Sequence, residues 1–252
     1  MRSPGALPHP AYAHKEHLGM AERPIFVPVE SGPSFVREIS LEIPWASGFA
    51  PVQKKKNIKA LHEAAAKKGF APLLEISTKS DVVAGQHLSA FHLKVQSKTG
   101  PIPLESAYQG SKVFERGGPY TDLYEVDART AKRDERLQDS GRLIRFEFDG
   151  HTFPLVPPTV FYDWLYLTAI HPHREWLTER LTEHEMFAGF TDIEFNPSKS
   201  INCQARSCAL FVALIKRDLF EDAIQSPESF IETMKGDGHS PITKENERRL
   251  SA

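Results

Sequence analysis

Leu88-Ser89-Ala90-Phe91 is followed, fourteen residues on, by Glu105-Ser106-Ala107-Tyr108-Gln109-Gly110-Ser111-Lys112. An extended segment, a proline-bounded loop (Ser97 to Pro103) and a helix start are packed into these twenty-five residues. The pattern predicts a helix from Leu104 to Arg116, stopped by Gly117-Gly118-Pro119. On such a helix Glu105, Gln109 and Lys112 fall at i, i+4 and i+7, within about 60° of one another around the axis, with Tyr108 to the side. A carboxylate and an amine held on rigid backbone are a minimal kit for acid–base or Schiff-base chemistry. The same spacing also describes a solvated face, with Glu near the helix N-terminus and Lys further along, both favoured by the helix dipole.

Upstream, Arg23 to Trp45 reads as β, because Arg37 to Ile43 alternates polar and apolar as a half-buried strand does. Lys54 to Lys68 reads as a helix stopped by Gly69. Pro72 to Thr78 is a short strand, Lys79 to Gln86 a polar loop and His87 to Val95 extended chain. Downstream, Ala128 to Gln138 is a charged amphipathic helix or an ordered loop. Arg142 to Leu155 is a hairpin, since Asp149-Gly150 supplies the positive φ angles of a tight turn. Thr159 to Ile170 and Glu175 to Glu185 read as helices. Ile201 to Phe220 is the clearest core helix, with Ile201, Ala205, Cys208, Val212 and Ile215 on one stripe. Ser226-Pro227 opens a last helix that stops at Gly236. With no internal repeat and no long linker, the expectation is one α+β domain, predominantly helical, over 23–236, with an unstructured extension at 1–22 and a polar tail at 237–252.

The chain of 252 residues carries 31 Lys and Arg against 33 Asp and Glu. Its net charge of −2 recruits no nucleic acid by a global field, so any such contact must be local or directed at a modified base. Cys203 and Cys208 lie five apart in one helical pattern and point in divergent directions, which reads as free thiols in a reducing compartment. Residues 1–19 lack the apolar run of a secretory signal, and Met20 is an alternative start. The longest apolar run, Val160 to Ile170, is too short to span a bilayer and contains Asp163. These features predict a cytoplasmic protein without membrane contact.

Other candidate groups are read locally. Asp192, just before Asn196-Pro197, suits a turn or a site. Asn202 and Arg206 share a face at the start of the core helix, where an arginine beside exposed N–H groups suits a diphosphate or pairs with a carboxylate. His171-Pro172-His173 and His184 have no partner at metal-ligand spacing, and no glycine loop for phosphate occurs, so neither metal nor cofactor is expected. Lys132 to Arg136 is mixed in charge and reads as a solvated face.

Taken together, Leu88-Ser-Ala-Phe91 and Pro103-x-Glu105-x-x-Tyr108-Gln109-x-x-Lys112 resemble the signature of the NADAR (YbiA-like) family. That signature is Leu/Phe-Ser-Asn-Phe, a loop, and a glutamate followed seven residues later by a lysine. Glu75 to Ser80 resembles the segment just before it. Asp192-x-x-Phe195 is similar to the family's Asp-x-x-Trp, and Asn202 to the asparagine of its Asn-x-Leu-Gly ending. The resemblance spans 72–217. Ala90 stands for asparagine, Ser106 for histidine, Phe195-Asn196 for Trp-Gly and Gln204-Ala205 for Leu-Gly. These departures bear on substrate specificity more than on the acid–lysine pair.

The resemblance implies a single YbiA-like domain with short strands and an N-terminal β elaboration. It implies a hydrolase that cleaves the N-glycosidic bond between ADP-ribose and a nucleobase, guanine in DNA, as an antitoxin. Gly117-Gly118-Pro119-Tyr120 and the divergent motifs suit the branch linked to DarT-type ADP-ribosyltransferase toxins. The catalytic residues it implies are Glu105, Lys112 and Asp192. The substrate-binding ones are Ser77, Lys79, Ser89, Phe91, Tyr108, Gln109, Phe195, Asn202 and Arg206, with Lys79 and Lys199 as alternative reacting lysines. The implied partners are ADP-ribosylated nucleic acid or ADP-ribose, and a cognate transferase toxin. Two other expectations compete: a non-catalytic module that binds ADP-ribose or a toxin, and an N-glycosidase for a phosphorylated riboflavin-pathway intermediate.

Overall fold

The computed structural model describes residues 19–184, 186–235 and 249–250. Strands β1 (Gly19–Pro28) and β2 (Val36–Trp45) pair antiparallel along their whole length, Gly19 opposite Trp45 and Pro28 opposite Val36. β1 thus begins inside the stretch expected to be an unstructured extension, and residues 1–18 of that extension lie outside the described residues. Helix α1 (Pro51–Ala66) opens on a proline, whose fixed φ suits the first helical turn, and the chain reverses at Gly69 with φ of +85°. Strand β3 (Leu73–Glu75), the short helix α2 (Val83–His87) and the hairpin of β4 (Lys94–Ser97) and β5 (Gly100–Pro103) follow. The polar loop expected at 79–86 therefore contains a helix turn, and the loop expected at 97–103 is mostly strand.

Helix α3 (Leu104–Gly110) leads directly into β6 (Lys112–Phe114). Then come the short helices α4 (Ala128–Lys132) and α5 (Arg136–Asp139), and the strands β7 (Leu143–Phe148) and β8 (His151–Phe153). The β7–β8 turn is the expected Asp149-Gly150, both at positive φ. Helices α6 (Val160–Ile170) and α7 (Arg174–Thr178) precede a π-turn over Glu179–His184. Glu185, the expected end of that helix, lies outside the described residues. Strand β9 (Gly189–Thr191) leads to α8 (Gln204–Lys216), α9 (Phe220–Ile224) and α10 (Pro227–Lys235). The core helix thus starts three residues later than its apolar stripe suggested and breaks before Phe220.

The main sheet has the order β2-β1-β9-β3, with β9 antiparallel to β1 and parallel to β3. Alternate side chains of its strands enter opposite layers. Ile25 and Leu73 pack under α1 with Leu61, Ala65 and Ile193, while Phe26 and Leu74 enter the larger core that α6 and α8 share. The parallel pairing brings the carboxyl ends of β3 and β9 side by side, where the Ile76 amide donates to the Thr191 carbonyl at 2.7 Å. A separate sheet, β6-β7-β8, carries Lys112 into the same core. No helix among the described residues is long and apolar enough to cross a membrane. Cys203 and Cys208 are free and buried.

The helix expected over 104–116 ends six residues early, for a tertiary reason. Gly110 lies against Tyr124, whose ring would come within 2.6 Å of a Cβ there, and Ser111 Oγ meets the Tyr124 hydroxyl at 2.9 Å. Beyond this contact Lys112, Val113 and Phe114 pair with β7. Gly117-Gly118-Pro119 is therefore no helix stop but a turn folded back on β6. Gly118 has φ of +90°, and a Cβ on it would lie 2.2 Å from the Lys112 carbonyl oxygen. Gly118→Ala is expected to destabilise the fold by about 2–4 kcal/mol, measured as a lower denaturant midpoint, because both the backbone angle and the contact forbid a side chain.

Candidate functional site

Lys112 is the centre of the candidate site. It is fully buried at the start of β6, and burial lowers its ammonium to about 7 against the opposing charge of Glu105, with Lys132 adding to the lowering. Glu105 sits half-buried in the first turn of α3 and accepts from Gln109 Nε2 at 2.7 Å, the i, i+4 contact expected from spacing. Lys112 does not continue that helix face. It lies at the start of the following strand, from where it feels the charge of Glu105. The Lys112 Nζ lies 4.9 Å from the centre of the Tyr108 ring. The Tyr108 hydroxyl donates to the Leu250 carbonyl at 3.0 Å and accepts from Asn202 Nδ2 at 2.7 Å. Arg249 Nη2 donates to the Ser200 carbonyl at 3.0 Å, so residues 249 and 250 close this side of the site.

A second acidic corner forms where β3 and β9 end. Asp192 is buried; its Oδ1 accepts from the Glu194 amide at 2.9 Å, and the Cys203 thiol faces Oδ2 at 3.9 Å. Burial, then the negative charge of Glu75, raise its carboxyl to about 8. Gln204 bridges this corner to the Leu88–Phe91 turn: its side chain bonds Asp192, and its Oε1 accepts from the Ala90 amide at 2.7 Å. Tyr162 stands between the two acids. Burial raises its hydroxyl well above the ordinary range, and the charges of both Glu105 and Asp192 add to that. Its ring meets Tyr108 edge-on at 5.6 Å. Tyr162 thus links the Tyr108 and Glu105 side of the candidate site to the Asp192 corner.

Three buried side-chain atoms among the described residues have no hydrogen-bond partner and belong to this region: Ser89 Oγ, Gln109 Oε1 and Asn202 Oδ1. Leaving such atoms unmatched costs about 1–3 kcal/mol each, which makes them candidates for polar contacts with a ligand.

Other expected residues are placed differently. Phe91 is 75% exposed on its turn, and Lys199 is exposed on the loop before α8. Lys79 is half-buried, its Nζ donating to Thr78 Oγ1 at 2.8 Å, and Ser77 Oγ donates to Glu75 at 2.7 Å rather than toward Lys112. Phe195 packs edge-on against Phe26 at 6.1 Å in the core. Arg206 pairs with the buried Asp163 at 2.5 Å, and Ser207 Oγ donates to the same carboxylate at 2.6 Å. Of the three candidate lysines, Lys112 alone is fully buried. Sequence reasoning passed over Tyr162 and Leu250, and placed Glu75 and Gln204 in the resemblance without giving them a site role. An aspartate inside the apolar run 160–170, and a glutamate closing the apolar strand Leu73-Leu74, were the available signals for the first and third.

Residues 21–244 match the model of the DarT1-associated NADAR antitoxin family, and the chain belongs to that family. No curated protein matches the chain.

Proposed function

We propose that the protein hydrolyses the N-glycosidic bond joining ADP-ribose to a nucleobase, guanine in DNA, and so reverses the modification made by the toxin with which its family is associated. The observation that carries this reading is the Lys112 amine, fully buried beside Glu105 and lowered to about 7, so that a large fraction is neutral and nucleophilic at physiological pH. The proton that the Lys112 ammonium gives up on becoming neutral passes to Glu105 and from there to the base nitrogen. The amine lone pair forms a C–N bond to the anomeric carbon as the bond to the base breaks, and the base leaves with that proton. The lysine adduct opens to an imine as the bond between the anomeric carbon and the ring oxygen breaks; of the two protons on its nitrogen, one goes to that oxygen, which leaves as a hydroxyl, and the other returns to Glu105. Water then adds to the imine carbon, and the C–N bond to lysine breaks to release ADP-ribose and regenerate the amine. Gln109 Oε1 and Asn202 Oδ1 are acceptors suited to ribose hydroxyls, and Ser89 Oγ can join them. Asp192 orients the sugar from the opposite corner.

The test is an oligonucleotide carrying ADP-ribosylated guanine. Release of ADP-ribose and unmodified DNA is expected, and borohydride should trap a covalent ADP-ribosyl adduct that Lys112→Ala lacks. Binding of the modified strand without turnover would favour a binding module instead. Turnover without an adduct would reduce Lys112 to an electrostatic role.

A further inference from the structure

Glu75 takes no part in the steps above, yet it is the most heavily bonded acid in the molecule's site. It closes β3, is buried, and accepts three donors: Ser77 Oγ at 2.7 Å and the Ile193 amide at 2.9 Å on Oε1, and Thr191 Oγ1 at 2.6 Å on Oε2. The Thr191 hydroxyl has one proton, and it is directed at Glu75. His62 Nε2, 2.9 Å from the same hydroxyl, must then donate to it. Burial lowers the His62 imidazole to about 4, so the ring is neutral and holds one N–H for this purpose. Every bond in the chain His62, Thr191, Glu75 therefore runs toward the Glu75 carboxylate. Asp192, on the adjacent parallel strand end, has two N–H donors, the Glu194 amide and the Gln204 side chain, and its third contact is a weak one from the Cys203 thiol at 3.9 Å. Burial raises the Glu75 carboxyl as well, and its hydrogen bonds from Ile193, Thr191 and Ser77 work against that; two buried carboxylates at one corner do not both ionise readily, and the one with the stronger set of donors keeps the charge.

We infer that Glu75 is a positioning residue for this site: it is the anion of the pair, and Asp192 is the proton-bearing acid that meets the sugar as a hydrogen-bond donor. This deepens the function proposed above and rests on it only for the identity of the sugar. The groups that face Asp192 are Glu75 from β3, Glu194 from its own loop, Tyr162 and Tyr166 from α6, and Cys203 and Gln204 at the start of α8. Lys54 of α1 reaches the same corner but pairs with Glu194 at 3.3 Å. His62 acts through Thr191.

Two measurements test the pair. Carboxyl ¹³C resonances followed by NMR should show one group titrating near pH 8 in the wild type, absent in Asp192→Asn and shifted down by at least ~1 pH unit in Glu75→Gln, since removing the like charge eases ionisation. ADP-ribose affinity, by calorimetry, should fall as pH rises through the same midpoint, start falling at lower pH in Glu75→Gln, and show no such fall in Asp192→Asn. Asp192→Asn, which keeps a donor, should bind at least ~10-fold more tightly than Asp192→Ala. The inference is overturned if every carboxyl titrates below pH 6, or if the asparagine and alanine variants bind equally weakly. If the wild type binds no ADP-ribose, the function proposed above falls, and the NMR titration still decides the pair. Should Glu75→Gln not fold, the Asp192 variants decide it.

Discussion

Lys112→Met is expected to abolish hydrolysis of ADP-ribosylated DNA, by at least ~10³-fold, and at the same time to raise the unfolding temperature. The loss follows if the amine forms the covalent adduct, since a thioether offers no lone pair that can open to an imine. The gain follows from linkage. Burial lowers the Lys112 ammonium from 10.5 to about 7 in the native state. Below pH 7 both states hold the proton, and the native state bears the full penalty of a buried charge, on the order of several kcal/mol. Between pH 7 and 10.5 the unfolded chain binds the proton more tightly, so stability rises with pH; above 10.5 the penalty is gone. Methionine, flexible and of similar length, fills the space without a charge. The stabilisation should therefore be largest near pH 6, about 5 °C or more, and shrink toward pH 10. Thermal unfolding of both proteins at the two pH values checks this, and a variant that is inactive but less stable at pH 6 would contradict the idea of a penalised, activated amine.

That lysine also shows how far the sequence could be read. Alternation in Arg37 to Ile43, the Asp149-Gly150 turn and the Ser226-Pro227 start are local signals, and the structure has a strand, a hairpin and a helix at those places. The helix through Lys112 was read from equally local signals and stops at Gly110, because the contact with Tyr124 comes from a segment that spacing does not see. Glu105 and Lys112 still influence one another electrostatically, but Lys112 belongs to β6, paired with β7, rather than to one helix face with Glu105. The second acidic corner lay further from reach. Glu75 and Thr191 are 116 residues apart, and only the parallel register of β3 and β9 sets them in contact. Arg206 looked available for a diphosphate because its partner, Asp163, is hidden in an apolar run. Closeness to a motif likewise said nothing about direction: Phe91 adjoins Ala90, whose amide is held by Gln204, and yet its own ring points to solvent.

Glu105→Gln is expected to slow hydrolysis by ~10²–10⁴-fold while leaving the lysine able to react, a combination that separates the two members of the pair. Glutamine preserves the shape of the side chain at the start of α3, where Gln109 Nε2 can still donate to its oxygen. What it removes is the shuttle that carries the Lys112 proton to the departing base. It also removes a negative charge, and that charge holds the Lys112 ammonium up against burial. Without it the ammonium falls further below 7, so the neutral amine persists to lower pH. Borohydride trapping with free ADP-ribose, whose open-chain aldehyde needs no leaving group, should therefore survive in Glu105→Gln, with its acidic limb displaced to lower pH. Hydrolysis of the modified oligonucleotide should stay slow at every pH. If trapping and hydrolysis fall together and keep the wild-type pH dependence, the two side chains do not act on one another, and the acid–amine pair is not the reacting centre. If hydrolysis stays within about threefold of the wild type, the proton comes from elsewhere, and the protonated Asp192 becomes the acid to examine.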